Sequence, residues 1–226
     1  MSGDKKPILC YWDIRGLAQP IRFLLAYCGI EFTDKKLECG EAPDYNKDCW
    51  FNVKYSLGLD FPNLPYYIDG DVKITQSNAI LRYIGRKHDL CGTTEKEKIK
   101  VDIMENQAMD FRNGFVRLCY APKGPFEECK KTYLENDLVP HLKGFDKFLG
   151  DSSWFAGEKI SVVDFPMYEL LHEHRLMYGS KLLDNYANLA KFLDRFEALP
   201  QIKEYMSTTK YDKNMPCNNK MAYWRF

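Results

Sequence analysis

The chain has 226 residues, a length that suits one or two globular domains, and its 45 % apolar and 28 % charged residues are ordinary for a globular protein. Its 32 Lys and Arg residues balance 32 Asp and Glu residues. Nucleic-acid-binding proteins usually carry a basic excess, so we expect no nucleic-acid partner. The longest apolar run, residues 23–30, is too short to span a bilayer, and the polar N-terminal residues do not resemble a secretory signal. We therefore expect a cytoplasmic protein without membrane association.

The chain contains eight cysteines, and no two of them are spaced as C-x-x-C. Several occupy apolar positions of periodic segments. This pattern is typical of reduced, partly buried thiols in the cytosol, and it argues against a catalytic C-x-x-C dithiol. Because the number of cysteines is even, an oxidised and secreted protein remains the alternative.

The first elements predict a β-α-β unit. Residues 7–12 are short, apolar and aromatic, as in a buried strand. Residues 18–28 follow with helical periodicity, with Pro20 suited to the first turn and Gly29 to the end. Residues 31–37 predict a second strand, which would pair in parallel with the first because the helix provides the crossover.

An irregular stretch, residues 38–65, comes next and contains one short predicted helix near residues 45–55. Residues 66–74 then predict a β-hairpin around an Asp-Gly turn. Ser77 immediately precedes a helical apolar pattern, so we predict that it is the N-cap of the next helix.

The order of these elements predicts two domains. Residues 1–88 would form an α/β domain with the order β-α-β followed by β-β-α, residues 89–94 would form a linker, and residues 95–226 would form an all-α domain. The second part shows almost no strand alternation. A long helical segment contains Ile99, Ile103 and Val116, and further predicted helices cover residues 134–149, 162–176 and 189–199.

Four motifs resemble those of the cytosolic glutathione transferases, in the form typical of the mu class. They are residues 11–17 (YWDIRGL), 57–66 (LGLDFPNLPY), 73–80 (KITQSNAI) and the pair 154–157 with 161–165 (WFAG, SVVDF). Their order matches that of the family, which makes the set highly specific. The resemblance extends from about residue 7 to about residue 210 and does not cover the C-terminal tail. It implies a thioredoxin-like first domain, a helical second domain and a homodimer.

The resemblance implies a glutathione S-transferase, which would join the glutathione thiolate to small hydrophobic electrophiles in detoxification. Glutathione would be a co-substrate, and no metal or other cofactor is expected. A free thiol has a pKa of about 8.5, so the enzyme must stabilise the anion, and a hydroxyl donor does so. Tyr11 resembles the catalytic tyrosine in that role, although most of the 15 tyrosines are expected to be core residues.

Two other functions remain open at this stage. The first is a carrier that keeps the glutathione-binding fold and binds hydrophobic compounds with little turnover. The second is a structural protein that reuses the fold, as some lens proteins do. Retention of Tyr11, Trp50, Lys54, Gln76 and Ser77 argues against the structural protein.

The glutathione-binding residues are inferred from the resemblance. They are Tyr11, Trp12, Trp50, Lys54, Asn63, Leu64, Gln76, Ser77, Lys47 and, reaching over from the second subunit, Asp110 of the partner subunit. Gln76 and Ser77 precede a helix, whose N–H groups and dipole attract a carboxylate. Many mu-class enzymes have arginine where this chain has Lys47, and lysine offers a point charge in place of a fork. Lys47 therefore either binds glutathione more weakly or is merely solvated.

The remaining site residues also rest on the resemblance. Positions near the electrophile are Trp12, Ile14, Leu17, Val116 and Tyr120, each of which could equally be a packing residue. Phe61 resembles the residue that inserts into a pocket of the other subunit. Pro65 resembles a cis-proline that exposes the backbone of Leu64. Ser161 and Asp164 fit a variant of the capping box, which predicts a structural role.

Overall fold

A computed structural model describes residues 6–213 and 215–225. Residues 1–5, 214 and 226, which belong to the predicted domains, lie outside this description. The first part of the chain contains strands β1 Ile8–Trp12, β2 Thr33–Leu37, β3 Tyr66–Asp69 and β4 Val72–Thr75, with helices α1 Gln19–Tyr27, α2 Asp48–Phe51 and α3 Ser77–Lys87. This order confirms the predicted β-α-β, β-β-α arrangement.

The four strands form one mixed sheet with the order β2-β1-β3-β4. Strand β1 pairs in parallel with β2, with Ile8 opposite Thr33, and antiparallel with β3, with Cys10 opposite Tyr66. Because β1 lies inside the sheet, its central residues are buried, which explains its nearly continuous apolar sequence. The catalytic candidate Tyr11 therefore belongs to one of the two interior strands of the sheet.

Helix α1 is confirmed with Pro20 in its first turn, but the prediction that Ser77 caps helix α3 is wrong. Ser77 already has helical geometry, whereas an N-cap residue lies just outside the helix. Gln76 takes the cap position with φ 72° and ψ 112°, and no side chain there accepts a hydrogen bond. The first N–H groups of α3 consequently have no side-chain cap.

The rest of the described chain is helical apart from turns and one isolated bridge between Trp154 and Gly157. Its helices are α4 Glu95–Tyr120, α5 Phe126–Tyr133, α6 Val139–Leu149, α7 Asp164–Tyr178, α8 Ala187–Glu197 and α9 Pro200–Ser207, with a π-helical turn at Leu134–Leu138 and a 3₁₀ turn at Ser180–Leu183. The predicted helical character of the second part is confirmed. None of the helices between residues 6 and 225, as far as they are described, is both long and apolar enough to cross a membrane.

Asp164 organises the start of α7. Its buried carboxylate accepts hydrogen bonds from the backbone N–H of Ser161 (2.7 Å), the hydroxyl of Ser161 (2.9 Å) and the backbone N–H of Phe155 (2.9 Å). Only half of a capping box is present, because the Ser161 hydroxyl donates to the carboxylate and caps no backbone group. The structural role predicted for this pair is therefore confirmed, with different geometry.

One continuous apolar core joins the sheet part to the helical part. Phe23 on α1 contacts the rings of Tyr168, Phe196 and Tyr205 edge-on, with centroids 5.4, 5.5 and 5.6 Å away. Gly85 on α3 lies so close to Val162 that a Cβ atom would approach the valine methyl to 2.1 Å. This packing fixes the positions of α1 and α3 relative to the helical part.

We predict that Asp164→Ala lowers the free energy of unfolding by about 3 kcal/mol, because it leaves the buried N–H groups of Phe155 and Ser161 without acceptors. Urea denaturation measures this change. Asp151→Ala is the matched control, since Asp151 is exposed and should change stability little. Equal stability of the two variants would contradict the role given to Asp164.

Candidate functional site

A cavity of about 280 Å³ lies between the loop after β1, helices α3, α4 and α7, and the C-terminal tail. Eight of the residues predicted for the site line it: Tyr11, Trp12, Ile14, Leu17, Lys47, Ser77, Val116 and Tyr120. The structure thus brings together residues from both parts of the chain. Among the described residues, no group of three or more His, Cys, Asp or Glu side chains is placed to hold a metal ion.

Tyr11, near the C-terminal end of strand β1, lines this cavity. The backbone N–H of Leu17 donates a hydrogen bond to the Tyr11 oxygen, and burial raises the pKa of the phenol above its ordinary value despite the nearby Arg112 charge. The phenol therefore stays protonated at neutral pH. Because its oxygen already accepts a bond from Leu17, its own proton is available to an acceptor in the cavity.

Gly16 determines how closely the loop after β1 covers Tyr11. A Cβ atom at this position would lie 2.8 Å from Cε1 and 3.0 Å from the hydroxyl of Tyr11. Gly16 also has φ of 41°, a backbone conformation that side chains disfavour. Both constraints require glycine, so the YWDIRGL motif encodes the approach of the loop as well as the tyrosine.

The same loop is anchored by Arg15, which is 1 % exposed. Its Nε and Nη2 atoms donate to the two carboxylate oxygens of Glu169 on α7, at 2.8 and 2.7 Å. Nη2 also lies 3.1 Å from Nδ1 of His172. Burial, followed by the charges of Arg15 and Arg175, lowers the pKa of His172 to about 3, so the ring is neutral and Nδ1 accepts this bond.

Lys47 and Ser77 are predicted glutathione-binding residues that also line the cavity. Ser77 begins α3, where the absence of a side-chain cap leaves N–H groups and the positive dipole end for an anion. Gln76 precedes it with positive φ. The start of α3 therefore suits a carboxylate.

Trp50 and Lys54 belong to α2 and the turn after it. Trp50 is buried and stacks on Tyr66, with ring centroids 6.1 Å apart, so its indole has a fixed orientation. The ammonium of Lys54 lies over the rings of Phe51 and Tyr55, 5.8 and 5.4 Å from their centroids. Neither residue lines the cavity itself.

Asn63, Leu64 and Asp110 also lie outside the cavity wall. The Leu64–Pro65 peptide bond is cis, as the resemblance implied. The side-chain oxygen of Asn63 accepts the N–H of Leu64 at 2.9 Å, so a ligand would compete with Asn63 for that donor. Asp110 is exposed on α4, where a second subunit could reach it.

Tyr120 is held by the C-terminal tail. Its oxygen accepts the backbone N–H of Asn218 at 2.7 Å, and its hydroxyl is hydrogen-bonded to the thiol of Cys217. Burial, reinforced by the Cys217 charge, raises the pKa of Tyr120. The predicted donation from Tyr120 to a substrate therefore competes with an existing bond to Cys217.

Sequence reasoning missed several cavity residues: Met109, Arg112 and Phe115 on α4, Glu173 on α7, and Cys217 and Met221 in the tail. The helical spacing of Val116 and Tyr120 could have identified Arg112, which lies one turn before Val116. The tail offered no such signal, because it forms turns without a period. Burial, followed by the charge of Glu169, raises the pKa of Glu173 well above its usual range, which makes it a neutral acid in the cavity wall.

Two family models match the chain. The glutathione S-transferase N-terminal domain matches residues 8–86, and the glutathione S-transferase C-terminal domain matches residues 109–209. Glutathione S-transferase Mu 3 from Homo sapiens is 54 % identical over 224 residues, which cover 99 % of this chain and 97 % of the relative. Glutathione S-transferase Mu 5 from Rattus norvegicus has the same identity and coverage. The similarity thus includes the C-terminal tail, which corrects the predicted limit near residue 210.

Solved structures show the same likeness. The crystal structure of the glutathione S-transferase Blo t 8 superimposes with a TM-score of 0.85 at 34 % identity, covering 95 % of this chain and 98 % of the other. The Onchocerca volvulus Pi-class glutathione S-transferase superimposes with a TM-score of 0.77 at 31 % identity, covering 89 % and 92 %. These matches support the two-part fold.

We predict that Gly16→Ala displaces the Tyr11 ring and lowers the rate of glutathione conjugation to an aryl halide by about tenfold or more. Gly70→Ala is the matched control, because Gly70 also has positive φ (60°) but a Cβ atom there would meet nothing within 4 Å. Both variants should lose similar stability, about 1 kcal/mol, through backbone strain. If both keep the wild-type rate, the contact between Gly16 and Tyr11 does not control the chemistry.

Proposed function

Because this chain belongs to the mu-class glutathione S-transferases, we propose that Tyr11 is its catalytic residue and stabilises the thiolate of bound glutathione. The observation that carries this proposal is the buried Tyr11 hydroxyl, which lines the cavity and accepts a bond from Leu17. The hydroxyl proton of Tyr11 is therefore available to donate a hydrogen bond to an incoming sulfur. A donor to the charged form of a thiol lowers the pKa of that thiol.

The reaction follows from this arrangement. The thiolate sulfur attacks an electrophilic carbon held against the apolar wall, where Ile14, Leu17 and Val116 contribute side chains. A C–S bond forms, and a halide or similar group leaves with the bonding electrons, or the sulfur adds to a conjugated double bond. The protein contributes positioning and a stabilised nucleophile, so the proposed step uses no metal or other cofactor.

We place the two ends of glutathione on opposite sides of this sulfur. The γ-glutamyl carboxylate binds at the start of α3, near Gln76 and Ser77, where free N–H groups and the helix dipole favour an anion. The glycyl carboxylate binds near Lys47, Trp50 and Lys54. Lys47 supplies charge without the two-pronged geometry of arginine.

Subunit pairing is the second part of the proposal. Phe61 is 77 % exposed in a loop, an unusual position for so large an apolar side chain. A second, mostly apolar cavity of about 380 Å³ lies between α4 and α6, with Ile103, Gly144 and Phe148 in its wall. We propose a twofold homodimer in which Phe61 of the partner subunit fills this cavity, and reciprocally.

This dimer places the partner on the α4 face that also carries Asp110. A γ-glutamyl amine would then meet Asp110 of the partner subunit, as the resemblance implies.

We further propose a detoxifying role in the cytoplasm, where thiols stay reduced. The eight cysteines, all of which are free in the structure, support that compartment.

We predict that Tyr11→Phe keeps most of the affinity for glutathione but returns the pKa of the bound thiol toward its free value of about 8.5. Each unit of pKa lowering corresponds to about 1.4 kcal/mol of preference for the anion. Conjugation near neutral pH should fall about tenfold or more and recover partly as pH rises through the pKa of the free thiol. Ultraviolet difference absorbance of the thiolate and initial rates from about pH 5 to about pH 9 measure both effects.

Tyr186→Phe is the control, because it removes a hydroxyl from a tyrosine outside the cavity. It should behave as the wild type in both measurements. Wild-type thiolate absorbance in Tyr11→Phe would make Tyr11 a packing residue. A wild-type protein that binds glutathione without a thiolate shift and without conjugation would instead be a carrier of hydrophobic ligands.

We predict that Phe61→Ser raises the dissociation constant of the dimer by about two to three orders of magnitude, since two phenylalanines lose their burial at about 2 kcal/mol each. Gly144→Leu should weaken the dimer as well. Gly144 lies in the α6 wall of the cavity with nothing near its Cβ position, so a leucine side chain would occupy the space proposed for Phe61 of the partner subunit. This substitution should not unfold the subunit, because leucine is the better helix former. Sedimentation velocity over a concentration series measures both.

Val72→Ser is the control for lost surface apolarity, since Val72 is exposed on β4. It should leave the dimer intact. A wild-type protein that sediments as a monomer at micromolar concentration would rule out the dimer. Normal dimers in both Phe61→Ser and Gly144→Leu would move the interface elsewhere.

A further inference from the structure

Two cysteine side chains from distant parts of the chain meet beside the cavity. Cys119 lies at the end of α4 and Cys217 lies in the C-terminal tail, 98 positions later. Both are buried, and their thiols are hydrogen-bonded to each other. The proposed conjugation reaction uses neither thiol.

Tail contacts on both sides of Cys217 keep this pair together. The N–H of Arg15 donates to the carbonyl of Met215 at 2.8 Å, and the N–H of Asn218 donates to the Tyr120 oxygen at 2.7 Å. Further along, the N–H of Tyr223 donates to the carbonyl of Cys119 itself at 2.7 Å. The hydrogen bonds that dock the tail on α4 therefore also bring the two sulfurs together.

The two thiols differ in access and in acidity. Cys217 lines the cavity, whereas Cys119 does not. The bond from Cys119, followed by the bond from Tyr120 and the charges of Arg112 and Arg15, lowers the pKa of Cys217 against the effect of burial. The same bond, followed by burial, raises the pKa of Cys119. Cys217 is thus the sulfur that a small reagent meets first, as the more nucleophilic of the two.

We propose that Cys119 and Cys217 form a disulfide when a hydroperoxide enters the cavity, with Cys217 as the attacking thiol and Cys119 as the resolving thiol. The Cys217 sulfur attacks the terminal peroxide oxygen, the O–O bond breaks, and an alcohol or water leaves with the thiol proton. The resulting sulfenic acid is attacked by the Cys119 sulfur, the S–S bond forms, and water leaves. Two thiols and one peroxide thus give one disulfide, one alcohol and one water.

The bond would tie the tail covalently to α4. Tyr120 would lose the thiol with which it is hydrogen-bonded, and the cavity wall would lose a nucleophile. A cross-link over 98 positions also restricts the unfolded chain, so the oxidised protein should have a higher melting temperature than the reduced protein.

The test treats the full-length protein with a small molar excess of hydrogen peroxide, blocks remaining thiols with N-ethylmaleimide, and maps unreduced peptides by mass spectrometry. The expected product is one linked peptide pair containing Cys119 and Cys217, which dithiothreitol separates. In Cys119→Ser, Cys217 should stop at the sulfenic acid and react with dimedone. In Cys217→Ser, Cys119 should remain a thiol.

Cys49→Ser is the matched control, because Cys49 is exposed and should not contribute to the bridge. The bridge should form in this variant as in the wild type. A bridge from Cys217 to Cys39, which also lines the cavity, would overturn the pairing, and so would a bridge between subunits. Unmodified Cys217 in a sample with oxidised Cys49 would overturn the proposal as a whole. The mass readout is independent of conjugation, so it stands whether or not the proposed function holds.

Discussion

The buried ion pair between Arg15 and Glu169 is the interaction on which the site depends. It joins residues 154 positions apart, and both side chains are almost completely removed from solvent. Losing one partner of such a pair strands a buried charge, at a cost of about 3–5 kcal/mol. The chain can therefore adopt this structure only with the loop after β1 seated on α7. That seating brings Leu17 to the Tyr11 hydroxyl and Gly16 over its ring.

The two parts of the chain contribute different groups to the cavity wall. The sheet part supplies the hydroxyl donor and the uncapped start of α3, which suit an anionic peptide with a thiol. The helical part and the tail supply most of the opposite wall, with residues such as Phe115, Val116 and Met221. Because the Phe23 cluster holds the two parts in contact, the distance between the two walls is set by core packing.

The tail is a structural part of the site, and its sequence gives no sign of this. The tail sequence has no helical or strand period, and the tail is held by separate hydrogen bonds with Arg15, Tyr120 and Cys119. Helices α5 and α9 were missed for a related reason. Each buries very few side chains, Tyr133 in α5 and Ile202 with Tyr205 in α9, so neither carries an apolar stripe long enough to reveal a helix.

The amino-acid sequence predicts the order of elements, the mixed sheet, the helical second part and the family, because these follow from local periodicity and from motifs of adjacent residues. It also identified Tyr11 and seven other residues of the cavity wall. The sequence does not show which groups meet across the fold: Arg15 with Glu169, and Cys119 with Cys217. Nor does the sequence reveal the N-cap of α3, because Gln76 occupies that position with a positive φ and Ser77 is already the first residue of the helix. Local patterns encode local conformation, whereas contacts between distant residues depend on how the whole core packs.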